Sequence, residues 1–181
     1  MLTFRNSLIV FILVMAGLIF YDCNHELSAW WYLITFLAGS LLVAWGCYFI
    51  QSQFFVKALY EGPSDKNEIA ITFDDGPHEN TPILLDILAR HNVKAAFFCI
   101  GKNIFGKENI MKRISEEGHV IGNHSYSHSN MIDLWPLNKL TADVNLAEDE
   151  IQKTIGKKCK LFRPPYGVTT PLIAKMVKKK K

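Results

Sequence analysis

Ile69-Ala70-Ile71-Thr72-Phe73-Asp74-Asp75-Gly76-Pro77 carries an alternating apolar run into two adjacent carboxylates and then a stop. The alternation predicts a buried strand over Glu68–Phe73, and Gly76-Pro77 ends it sharply. Two neighbouring acids are costly to ionise together unless a cation or a hydrogen-bond network receives them. The plainer alternative is a solvated turn whose Asp caps the next helix.

Outward from this stretch, strands and helices alternate. Thr81-Pro82 supplies an N-cap and a proline at the first helical position, and Ile83, Leu84, Ile87 and Leu88 recur at helical spacing. A strand over Ala95–Ile100 follows, then a helix over Glu108–Glu117 that Gly118 stops. Next come a strand over His119–Gly122 and a helix with Leu137, Leu140, Val144, Ala147, Ile151 and Ile155 on one face, ended by Gly156. A short strand over Lys160–Phe162 and a helix opened by Thr170-Pro171 complete the series. This alternation points to an α/β fold with a parallel sheet, either doubly wound or part of a barrel. In both, chemistry belongs at the C-terminal ends of the strands.

Three strand ends carry unusual polar groups: Asp74-Asp75, Asn123-His124-Ser125-Tyr126-Ser127-His128, and Arg163-Pro164-Pro165-Tyr166-Gly167. A parallel sheet gathers them on one rim. His124 and His128 with Asp75 offer two imidazoles and one carboxylate, the pattern of a catalytic site for zinc or another first-row divalent ion. Two polar loop histidines are the alternative when the pair is taken alone. One carboxylate of the Asp74-Asp75 pair then has a metal to neutralise it and the other can act as a general base, with Arg163 expected to hold that base through a bidentate pair on a backbone stiffened by proline. Pro165 fixes the backbone N–H of Tyr166 as an oxyanion donor. The Tyr166 ring either packs over a sugar or sits in the core. His78 reads as solvated loop.

These motifs resemble those of the polysaccharide deacetylases of the NodB-homology type, carbohydrate esterase family four. Thr72-Phe73-Asp74-Asp75-Gly76-Pro77 resembles the first family motif, His124–His128 the second and Arg163-Pro164-Pro165-Tyr166 the third, over about residues 67–181. The resemblance implies a distorted (β/α) barrel and metal-assisted hydrolysis of N-acetyl groups on a glycan. Asp74, Arg163 and Tyr166 would then be catalytic, Asp75, His124 and His128 would bind the metal, and Pro165 and Tyr166 would meet substrate. The implied cofactor is a divalent ion, Zn or else Co or another first-row metal. The implied partner is peptidoglycan, a chitooligosaccharide-like chain or a surface polysaccharide. The family's later Asp and Trp motif and its Leu-x-His have no counterpart, since no His follows His128 and no Trp follows Trp135. The sequence is therefore expected to be the front part of a longer deacetylase, with an incomplete barrel and impaired activity. The run Lys178–Lys181 would mark a slip in A-rich codons, or else a lysine-capped helix end.

Ahead of this region, residues 6–21 and 27–56 carry no charged side chain. A span needs roughly 20 apolar residues, so two transmembrane helices are expected over about residues 6–21 and 29–50, with Trp30, Trp31 and Tyr32 in an interfacial belt. The resulting division is a membrane anchor at 1–57, a linker at 58–67 and a partial deacetylase domain at 68–181. Arg5 and Lys57 flank the spans while the hairpin between them has no Lys or Arg, so the charge bias alone places the domain in the cytoplasm. The family resemblance places it outside, and that is the expected localisation. The net charge of +3 owes much to the terminal lysines and implies no nucleic acid. The four cysteines have neither zinc nor disulfide spacing, and Cys99 reads as apolar filler.

Overall fold

The computed structural model describes residues 2–62, 65 and 67–179. Pro63, Ser64 and Lys66 of the expected linker, and Lys180 and Lys181 of the lysine run, lie outside the described residues. The chain opens with two long apolar helices, α1 (Phe4–Asp22) and α2 (Trp30–Tyr48). They form an antiparallel pair. Asp22 closes the hairpin by accepting from the Leu27 N–H at 2.9 Å and the Tyr32 hydroxyl at 3.0 Å. Gly39 lets the Phe11 ring approach α2 closely. The second helix stops at Tyr48, short of residue 50, where a 3₁₀ turn over Ile50–Ser52 leads to Gln53 in the left-handed region.

The remaining chain builds a three-stranded parallel sheet in the order β1 (Thr72–Gly76), β2 (Ala96–Cys99), β3 (Val120–Asn123). The helices α3 (Thr81–Arg90), α4 (Glu108–Glu116), α5 (Leu137–Ile155) and α6 (Pro171–Lys179) follow the expected order. The first strand begins later than its apolar alternation suggests, because β2 starts only opposite Thr72 and residues before Ile71 have no edge to pair with. Ile69 is 89 % exposed, while Ile71 and Phe73 pack on the core. Thr81 is the first helical residue rather than the cap; Asn80 takes the cap position, and the Thr81 hydroxyl accepts from the His78 N–H.

The expected strand over Lys160–Phe162 is reduced to one parallel bridge, Phe162 beside Asn123. Asn123 donates to the Leu161 carbonyl and accepts from the Arg163 N–H, but Pro164 brings no N–H and the ladder ends there. The described residues thus make an open sheet with one added bridge, and they do not close a barrel.

The main core joins Leu85, Leu88, Phe97, Cys99, Ile104, Met111, Ile114 and Ile151 between the sheet and α3, α4 and α5. Each such side chain contributes about 1.5–3 kcal/mol on burial. Burial pushes the Cys99 thiol up to about 12, in keeping with a filler role. A second cluster packs α5 on α6 through Leu140, Val144, Ile173 and Met176. Gly101, after β2, sits so near the Ala147 backbone of α5 that a Cβ would lie 2.9 Å from Ala147 Cα. That close approach brings α5 under the loop after β3.

Candidate metal centre and catalytic rim

Adjacent residues of a regular strand point to opposite faces, so Asp74 and Asp75 could not share a rim if β1 were regular. It is not regular. Phe73 pairs with Phe97 and Gly76 with Cys99, so three residue steps on β1 face two on β2. This bulge re-aims side chains, and Asp75 sits within it at φ 66°. The Asn103 side chain holds the Asp75 carbonyl at 2.9 Å. Ser125, His128 and Tyr166 also have positive φ, at 67°, 49° and 59°. Each such backbone costs on the order of 1–3 kcal/mol and recurs where function constrains the chain.

Asp75, His124 and His128 come together. Asp75 Oδ1 lies 3.5 Å from His124 Nε2 and 3.2 Å from His128 Nε2, and one ligand atom from each lies within 4.8 Å of the others. His124 is 3 % exposed, and its Nδ1 is 2.7 Å from the Arg163 carbonyl. A carbonyl only accepts, so Nδ1 carries the proton and Nε2 turns its lone pair toward Asp75. Burial lowers the His124 pKa, outweighing the Arg163 carbonyl and the nearby carboxylates, and the ring is kept neutral as a ligand must be. Two imidazole nitrogens and one carboxylate on an open rim are a donor set that fits a divalent first-row ion with positions to spare.

Asp74 faces Arg163. One guanidinium nitrogen lies 2.7 Å from Asp74 Oδ1 and 3.0 Å from the Thr72 hydroxyl. The contact is therefore through a single nitrogen and not the bidentate fork expected, because Thr72 shares that nitrogen. The guanidinium also lies on Phe98, 3.9 Å from its centroid. Phe98 has room there because position 122 is glycine; a Cβ at Gly122 would fall 2.5 Å from its ring. Tyr166 is 60 % exposed, with its ring 5.0 Å from that of His128, so it is not a core aromatic. Pro164 and Pro165 beneath it are buried. Asp74, Asp75, His124, His128, Arg163, Pro164, Tyr166 and Gly167 line one pocket. His78 is exposed and stays in its own turn.

Several supporting residues left little trace in the sequence. Buried Asn123 donates to the Val144 carbonyl and accepts from the Ser125 N–H, and the Ser125 hydroxyl accepts from the His128 N–H. On α5, the Asp143 carboxylate accepts from the Tyr126 and Ser127 N–H groups at 2.8 and 3.2 Å. Asp143 thereby fixes the loop between the two histidines. Asp143→Ala strands those two donors, at a cost of about 1–3 kcal/mol. Metal affinity should fall roughly 10–100-fold, as when an outer-shell partner is lost. Thermal unfolding and metal titration of the purified chain measure the two effects.

Comparisons with known proteins show which family the chain resembles. A family model described as polysaccharide deacetylase matches residues 61–181. A peptidoglycan-N-acetylglucosamine deacetylase of Bacillus cereus is 47 % identical over 109 residues, covering 60 % of this chain and 39 % of the relative. Peptidoglycan-N-acetylmuramic acid deacetylase PdaA of Bacillus subtilis is 35 % identical over 125 residues, covering 67 % of this chain and 47 % of the relative. The chain thus spans less than half the length of either. A solved peptidoglycan N-acetylglucosamine deacetylase, in complex with 4-naphthalen-1-yl-N-oxidanyl-benzamide, superposes with a TM-score of 0.62 at 42 % identity. That match covers 66 % of this chain and 56 % of the solved one.

Proposed function

We propose, because the chain belongs to the polysaccharide deacetylase family, that it removes N-acetyl groups from a cell-envelope glycan such as peptidoglycan, using a divalent metal ion. The observation that carries this reading is the bulge in β1, which turns Asp75 to the two histidines and leaves Asp74 to Arg163. A divalent ion held by Asp75, His124 and His128, with zinc the first choice, would polarise the acetyl carbonyl and make a nearby water more acidic.

The chain's own groups do the rest. Arg163 holds the Asp74 carboxylate in place through its 2.7 Å contact. Asp74 accepts a proton from the attacking water, whose oxygen bonds to the acetyl carbon. The Tyr166 backbone N–H steadies the developing oxyanion, while Pro164 and the Tyr166 ring border the sugar; Pro165, expected to meet substrate, is buried and is not among the pocket-lining residues. As the C–N bond breaks, the amine takes the proton from Asp74 and acetic acid leaves, giving up its remaining proton to solvent as acetate. Asp74 lines the pocket outside the metal set and carries the proton from one step to the next.

In this reading residues 1–57 anchor the chain in a membrane. The helices α1 and α2, each 19 residues long with mean hydropathies of 1.9 and 1.5, have the length and composition for it. The deacetylase region then faces the outside, where the glycan is. Acetate release from N-acetylglucosamine oligomers by the full chain tests the activity. Release that stops with a chelator and returns with zinc or cobalt is the expected result. Release unaffected by chelation would overturn metal use, and no release under any condition would overturn the deacetylase reading.

A further inference from the structure

The helix pair packs directly on the region that carries the site. The backbone N–H and the hydroxyl of Thr169 both point at the Cys47 carbonyl near the end of α2, at 3.0 and 3.5 Å. Thr169 is 4 % exposed. At the start of α1 the Phe4 N–H donates to the Phe54 carbonyl at 2.9 Å. Phe54, Phe55 and Ala174 of α6 form a buried cluster with Phe4, Leu42, Val43, Cys47 and Val56 around it. Gly46 is the one buried residue of α2, because the Phe54 ring occupies the place of its Cβ. Helix pair and α6 are therefore packed together like core, with a backbone bond, from the Thr169 N–H to the Cys47 carbonyl, across the junction.

Thr169 lies three residues beyond Tyr166, at most about 11 Å of chain. The catalytic rim is consequently pinned near the end of the helix pair where Trp45, Tyr48 and Phe49 are exposed. Exposed Trp and Tyr at the end of an apolar helix mark headgroup level. Resting on the anchor and deacetylase readings above, we infer that this site works at the bilayer surface, on N-acetylated glycan still carried on a membrane lipid. A rim fixed this close to the headgroups meets a sugar held by a lipid anchor at high effective concentration, and meets distant strands poorly.

The full chain in vesicles of phosphatidylethanolamine and phosphatidylglycerol with a nickel-chelating lipid tests the placement. Spin labels go at Tyr166→Cys, or at Lys158→Cys beside the opposite end of the sheet, each in a Cys23→Ser, Cys47→Ala, Cys159→Ser background that leaves only buried Cys99. Relaxation by the headgroup nickel several-fold stronger at 166 than at 158 is expected. Equal relaxation, or stronger relaxation at 158, overturns the placement. Chain that fails to float with the vesicles overturns the placement and the anchor together.

For the substrate, the unlabelled chain in plain vesicles is supplied with zinc. It receives an N-acetylglucosamine disaccharide on a lipid pyrophosphate in the same bilayer, or the free disaccharide. Acetate release at least tenfold faster from the lipid-borne sugar supports the inference. Equal rates overturn it and leave the deacetylase reading standing; no release from either overturns both.

Discussion

Asp74→Asn lowers acetate release by on the order of 10²–10⁴, the contribution of a positioned general base, while divalent-metal affinity stays within a few-fold of the parent. The amide keeps the size of the carboxylate but cannot take a proton from water. Asp74 reaches Arg163 and does not belong to the Asp75–His124–His128 set, so the loss should fall on kcat and spare metal loading. Steady-state kinetics beside a metal titration separates the two. Equal loss of metal and activity would mean that Asp74 is a ligand.

Asp75→Ala has the opposite signature. Asp75 Oδ1 faces both imidazoles across 3.2 and 3.5 Å and brings the negative charge of the donor set. Metal affinity should drop by more than the ~10–100-fold typical of an outer-shell partner, and acetate release should go with it. Asp75 is exposed, so truncation removes no packing, but Ala tolerates the left-handed region less well than Asp, and the fold should survive with a slightly lowered thermal transition. Excess zinc should restore part of the activity to this variant and none to Asp74→Asn.

The two variants divide a dipeptide that reads in sequence as one feature. Its place at the end of a strand was legible because Gly76-Pro77 and the apolar alternation are local signals. The helices were legible for the same reason: Pro82, Gly118, Gly156 and Pro171 punctuate them where the structure starts and stops them. The bulge was not legible, since it exists only in the pairing of β1 with β2, and no single strand records its partner's register. The late start of β1, with Ile69 exposed, has the same cause. Asp143 was hidden differently, since it bonds to backbone groups, which leave no side-chain partner to notice. Phe98 under Arg163 reads as one more apolar strand residue until Gly122 is placed beside it. The three motifs met on one rim as a parallel sheet requires, but the single-nitrogen contact of Arg163 depends on Thr72, whose proximity only the fold reveals.

The most direct measurement is a cobalt titration of the full chain, followed by visible absorption. Uptake of one ion per chain is expected, with the bands of low-coordinate cobalt on nitrogen and oxygen ligands, lost when Asp75, His124 or His128 is removed and retained in Asp74→Asn. Cobalt uptake that is absent, or indifferent to those three residues, would contradict the assignment of the metal centre and with it the division of labour between Asp74 and Asp75.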